Sequence, residues 1–86
     1  MAKEMIYRHS FMWKKHMRYY PAKNMLIKEG FSLTGYDKDY AGKKLVYVNF
    51  SDGNCFIKMG VEMVRNKTTN KIECGNIMSL EEWTED

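Results

Sequence analysis

No stretch of the chain approaches the about eighteen consecutive apolar residues of a membrane span, and its first residues lack the apolar segment of a signal peptide. The sequence therefore predicts a soluble, cytoplasmic protein with no membrane contact. Cysteine is scarce. Cys55 and Cys74 stand outside any CxxC spacing, so they read as two reduced, core-filling side chains rather than metal ligands. The glycines, Gly30, Gly35, Gly42, Gly53, Gly60 and Gly75, are spread singly, which excludes a phosphate-cradling loop. His9 and His16 are the two histidines, and on a helix they would lie about 10 Å apart along the axis, too far to share a metal without further ligands. Asp37-x-Asp39-x-x-Gly42 opens like a calcium loop, but Ala41 and Val48 occupy loop positions five and twelve, where a third oxygen ligand and a bidentate Glu belong. No nucleophile, base and orienter can be placed together. The expectation is a non-enzymatic protein without metal or cofactor.

The sharpest absence is of negative charge. From Tyr7 to Lys23 there is no carboxylate, while the stretch holds Arg8, Lys14, Lys15, Arg18 and Lys23 interleaved with Tyr7, Phe11, Trp13, Tyr19 and Tyr20. Stepping by about 100° per residue from Met5 to Tyr20 gathers Met5, Ile6, His9, Met12, Trp13, His16, Met17, Tyr19 and Tyr20 on one arc. Tyr7, Arg8, Phe11, Lys14, Lys15 and Arg18 fill the other. This split predicts an amphipathic helix that ends at Tyr20, which Pro21 pushes away from helical dihedrals. Net charge is +3 overall but unevenly spread: +6 over residues 1–28, +1 over 29–78 and −4 from Ser79 onward. A positive field at one end is the pattern expected when one surface meets a polyanion, unless the acidic tail folds back and neutralises it.

From Pro21, as first helical residue, the pattern predicts a second helix through Glu29, capped by Gly30. The apolar period then changes from 3.6 to 2. Phe31, Leu33 and Gly35 suggest a strand, and Lys43–Phe50, the turn Ser51-Asp52-Gly53-Asn54 and Cys55–Met59 read as a hairpin. Pairing Phe50 with Cys55 puts Val46, Val48, Phe50, Cys55, Ile57 and Met59 on a core face. Leu45, Tyr47, Asn49, Phe56 and Lys58 share the other face, either as a base-stacking platform or, the commoner fate, buried beneath loops or helices. Gly60 should bend the chain before Val61–Arg65, and Asn66–Asn70 should turn it into Lys71–Cys74. Ser79 and Glu82 have capping-box spacing, which predicts a helical turn over Leu80–Trp83. The outline is one small α+β domain over residues 1–86, with two N-terminal helices packed on an antiparallel meander of four to five strands.

A run of lysines opposite an apolar stripe is most often a solvated face. Two features favour a function. Phe11 and Tyr7 lie among the cations, where a solubilising face has no use for aromatic surface, and no compensating acid stands at i±4. The sequence thus points to a nucleic-acid-binding module, RNA before DNA, with Tyr7, Arg8, Phe11, Lys14, Lys15, Arg18 and Lys23 as contacts. The runner-up is a small inhibitor or adaptor that binds a host protein, such as a nucleic-acid-processing enzyme. Tyr, Trp, Phe, Met and Arg are enriched in interface cores too, and the composition has the texture of small bacteriophage proteins.

Overall fold

The computed structural model describes residues 3–14, 17–38 and 44–85. It is α+β, with two short helices and a five-stranded antiparallel sheet. The strands are β1 (Lys3–Ile6), β2 (Ser32–Lys38), β3 (Leu45–Ser51), β4 (Cys55–Arg65) and β5 (Ile72–Glu85), in the order β1-β5-β4-β3-β2. Helices α1 (Ser10–Lys14) and α2 (Tyr19–Lys28) connect the two edge strands.

The expected continuous helix from Met5 to Tyr20 does not form. Met5 and Ile6 belong to β1, which pairs with the end of β5 through Met5↔Trp83 and Ile6↔Glu82. A turn follows over Tyr7–His9, and α1 is barely more than one turn long. Cross-strand pairing of β1 overrides the helical period, as tertiary contacts do when intrinsic propensity is weak. Tyr20 does not stop a helix either. It lies inside α2, with Pro21 as the third helical residue, where the missing N–H has no intrahelical partner to lose. The far end of α2 is closer to expectation, with Glu29 as the cap and Gly30 at φ +101°, a left-handed backbone that favours glycine.

The core lies between the helices and one sheet face. Met12, Tyr19, Ala22 and Leu26 from the helices pack on Val48, Phe50, Ile57, Met59, Val61, Ile77 and Leu80. Full burial of each large apolar side chain is worth about 1.5–3 kcal/mol. The two faces of the β3–β4 hairpin divide as the alternation predicts, but the register is Phe50↔Ile57 and Ser51↔Phe56 rather than Phe50 with Cys55. The shift comes from the loop. Asp52 Oδ1 accepts the N–H groups of Asn54 (2.9 Å) and Cys55 (2.7 Å), and Gly53 takes φ +97°, so Cys55 is drawn into the turn's hydrogen bonding. Those two donors hold the Asp52 carboxyl below the usual carboxylate range, with a smaller pull from Arg8.

No bend separates Gly60 from Val61. β4 runs on to Arg65 through irregularities in its pairing with β5. Gly60 has a different purpose: a Cβ there would lie 2.4 Å from Ser79 Oγ and 3.2 Å from Tyr47 Cε1, so the bare backbone lets the Tyr47 ring lie across β4. The helical turn predicted over Leu80–Trp83 is also absent, because that segment is flanked by β4 and β1 and its side chains alternate across the sheet. Where β1 does not reach, the link between the helices covers β5. Ile77 N–H donates to Met17 O (3.0 Å), and Arg18 bridges to Asn76. The calcium-like Asp39, Ala41 and Gly42 lie outside the described residues, as does His16.

Candidate nucleic-acid interface

The predicted contact residues reach the surface from three elements instead of one helix face. Tyr7, 60% exposed, and exposed Arg8 come from the turn after β1; Phe11, 39% exposed, and Lys14 come from α1. Exposed Arg18 is the N-cap residue of α2, and Lys23 is half-buried on α2. Lys15 lies outside the described residues. Arg8 turns its guanidinium toward Cys55, with Nη2 3.2 Å from Sγ. Lys23 lies close enough to Cys74 to oppose the upward push that burial gives that thiol. Among the described residues, no carboxylate forms an ion pair with Arg8, Lys14, Arg18, Lys23 or Lys28. Trp13 and Tyr20, expected in the core, are also exposed, because the break in the helix turns them outward. The helical layer therefore combines unpaired cations with exposed aromatic rings.

The opposite sheet face has a different character. No described helix lies on it, so Tyr47, Phe56 and Lys58 are not buried beneath helices but half-covered by one another. Phe56 and Trp83 stack with centroids 5.8 Å apart, and Lys3 Nζ sits 3.8 Å over the free side of the Trp83 ring. Lys58 Nζ caps Tyr47 at 5.0 Å. Cation–π contacts of this kind are worth about 0.5–1 kcal/mol each at exposed sites, and a stacking base would have to displace them. The pairs Lys3↔Glu85 and Lys58↔Glu81 also balance charge across the strands. This face is satisfied, apart from the Trp83 indole N–H, which is buried with no hydrogen-bond partner among the described residues. The acidic tail follows the same division. Glu81 and Glu85 belong to this face and do not reach the helical cations.

Sequence reasoning missed the role of Glu82, because a capping-box spacing disguised it. Its side chain is fully buried under the helical layer, where Oε1 accepts the His9 backbone N–H (2.9 Å) and Oε2 faces His9 Nδ1 (2.6 Å). Glu29 Oε2 faces the other ring nitrogen at 2.7 Å. Only a doubly protonated imidazole donates to both carboxylates. His9 is a buried residue, as the apolar arc suggests, and it fastens the Tyr7–His9 turn to β5 and to the end of α2. Neither ring nitrogen is free to act as a general base, and no three such side chains among the described residues are arranged to hold a metal ion. The alternation Leu80–Glu82–Thr84 in a strand was the available signal. No helix among the described residues is long and apolar enough to cross a membrane. No family model, curated protein or solved structure matches the chain.

Proposed function

We propose that the chain is a non-enzymatic module that binds nucleic acid, single-stranded RNA before DNA, through its helical layer. The observation that carries this reading is the exposure of Tyr7, Arg8, Phe11, Lys14 and Arg18 on one layer without a carboxylate partner, while the cations of the opposite face are engaged. Phosphates would meet Arg8, Lys14, Lys15 and Arg18, and unpaired bases would stack on Phe11 or Tyr7. RNA is favoured because aromatic rings among the cations suit unpaired bases, and no zinc site is arranged among the described residues.

Four phosphate contacts on a single strand give a slope of log K against log salt of about −2.8. Affinity should then fall about fifty-fold between about 50 and 200 mM salt. Filter binding to an unstructured RNA oligomer measures it, and Lys14→Glu with Arg18→Glu should abolish retention while the fold persists. A slope of zero would reduce the layer to a solvated face.

A second reading has its own observation. Trp13, Tyr20 and Ile27 are exposed on the same layer, and Ile27 serves no nucleic-acid contact. They suit a small inhibitor or adaptor that covers a partner protein. A one-to-one complex that survives nuclease and is lost on Ile27→Glu would favour it.

A further inference from the structure

The β4–β5 hairpin overhangs the rest of the sheet. The last rung between β3 and β4 is Leu45↔Glu62, with one further bond from Met63 N–H to Lys44 O (2.7 Å). Beyond it, among the described residues, Val64 and Arg65 pair only with Glu73 and Ile72. A two-stranded ribbon is marginal on its own, so a tip held this firmly needs an explanation. Asn66 organises it. Its Oδ1 accepts the N–H groups of Thr68 (2.8 Å) and Thr69 (3.1 Å), and its backbone N–H donates to Lys71 O (2.8 Å). Asn70 takes φ +62°, and Arg65 Nη1 donates to its carbonyl (3.0 Å). The result is a preorganised loop that presents Lys67, Thr68, Thr69 and Lys71 to solvent.

This tip continues the helical layer. Met63 and Cys74 form one rung, and Cys74 packs against the core beneath the helices, near Lys23. Arg65↔Ile72, two residues further out, therefore projects from the same side of the ribbon, and both side chains are exposed. Arg18 is bridged to Asn76 at the root of the hairpin. From Asn76 to Lys71 the strand covers about 17 Å. Lys14, Arg18, Lys23 and Arg65 thus follow one another toward the tip, where Lys67 is exposed in the loop, while Lys71 has the parity of Glu73 and lies on the other side of the ribbon. The one acid of the overhang, Glu73, points to the other side of the ribbon, with both carboxylate oxygens 3.3 Å from Asn66 Nδ2.

We infer that the overhanging hairpin is a second contact for the same single-stranded RNA, an arm whose Lys67, with Arg65 behind it, binds the phosphates of a strand already seated on the helical layer. The inference rests on the function proposed above. It makes the footprint length-dependent: a short oligomer occupies the helices alone, and a longer one reaches the arm.

The test uses full-length protein, wild type, the arm variant K67E and K14E/R18E, with oligouridylates of about 4 and about 16 nucleotides, the ends of the common range of single-strand footprints. On the longer RNA the arm variant should lose about 0.7 from the salt slope, so that the loss of affinity between about 50 and 200 mM salt is about 2.6-fold smaller than for wild type. On the shorter RNA it should match wild type. K14E/R18E should lose binding to both. Equal melting temperatures confirm that the loop substitution leaves the fold intact. An arm variant that binds the longer RNA with unchanged slope overturns the inference and leaves the helical site standing. So does one that weakens both lengths alike. Wild-type protein that binds neither oligomer overturns both, and an arm variant that instead loses a nuclease-resistant protein complex assigns the hairpin to a protein partner.

Discussion

Replacing His9 by alanine should cost the fold about 4 kcal/mol, because removing one member of a buried charged pair strands the other. The structure sets where in that range of about 3–5 kcal/mol the value falls. Glu82 has 0% exposure, so water cannot take over from the ring, but its Oε1 keeps the backbone N–H of residue 9 in any variant. The ring also gives up an edge-on contact with Phe31, whose centroid is 5.8 Å away. At about 0.05–0.15 kcal/mol per residue, a chain of this length has only about 4–13 kcal/mol in total, so the variant would be close to unfolding. Thermal melting followed by circular dichroism should show a fall of at least about 16 °C. Glu29→Gln is the control. That carboxylate is 49% exposed, and its contact with His9 should be worth no more than about 1 kcal/mol. The decisive variant is His9→Leu with Glu82→Met, which removes both charges at similar volume and should recover most of the loss. The reasoning fails if His9→Ala melts within a few degrees of wild type, or if the double variant is as unstable as the two single changes added together.

Two further outcomes follow from packing and ionisation. Gly60→Ala should destabilise by about 1–2 kcal/mol, since its Cβ would meet Ser79 Oγ and the Tyr47 ring, and Ser79→Ala in the same chain should restore part of this in a denaturant titration. Burial, helped by Tyr36, Cys74 and Tyr20, pushes the Tyr19 hydroxyl up to about 12 from its ordinary 10.0. The folded protein thus holds that proton more tightly than the unfolded chain. Its contribution to stability is complete below pH 10 and lost as pH rises toward 12. Spectrophotometric titration should show one late tyrosine, absent in Tyr19→Phe; a late step that survives the substitution would assign it elsewhere.

What the sequence disclosed and what it hid have separate physical causes. Strand alternation over residues 45–59 was legible because it is local: each side chain's face follows from its parity, and a loop that shifts the register by two leaves parity intact. The N-terminal region was misread because its period is ambiguous. Ile6, His9, Met12 and Tyr19 all point inward, as a helix would require, yet they do so from a strand, a turn and two separate helices. What decides the matter is β1 pairing with residues 82–85, at the far end of the chain, and no local window contains that information. The same long-range pairing turns the capping-box residue Glu82 into the buried partner of His9.

The surface charge argues in the same direction as the fold. A cation serves solubility wherever it is exposed, so solubility alone gives no reason to treat the two faces differently. Here they do differ. Lys3 and Lys58 lie over aromatic rings and opposite Glu85 and Glu81, so their field is spent locally. On the helical layer Glu29 is turned toward His9, and the aromatic rings beside the cations are left uncovered. Cations left unpaired on one layer while those of the other are engaged leave positive potential where the proposed RNA would approach, and would raise its on-rate in low salt. The His9 anchor has a place in this arrangement. By fixing residues 7–9 against β5 it holds Tyr7 and Arg8 at the edge of the cationic layer, so a substitution that frees the turn should weaken RNA binding even under conditions where the protein remains folded.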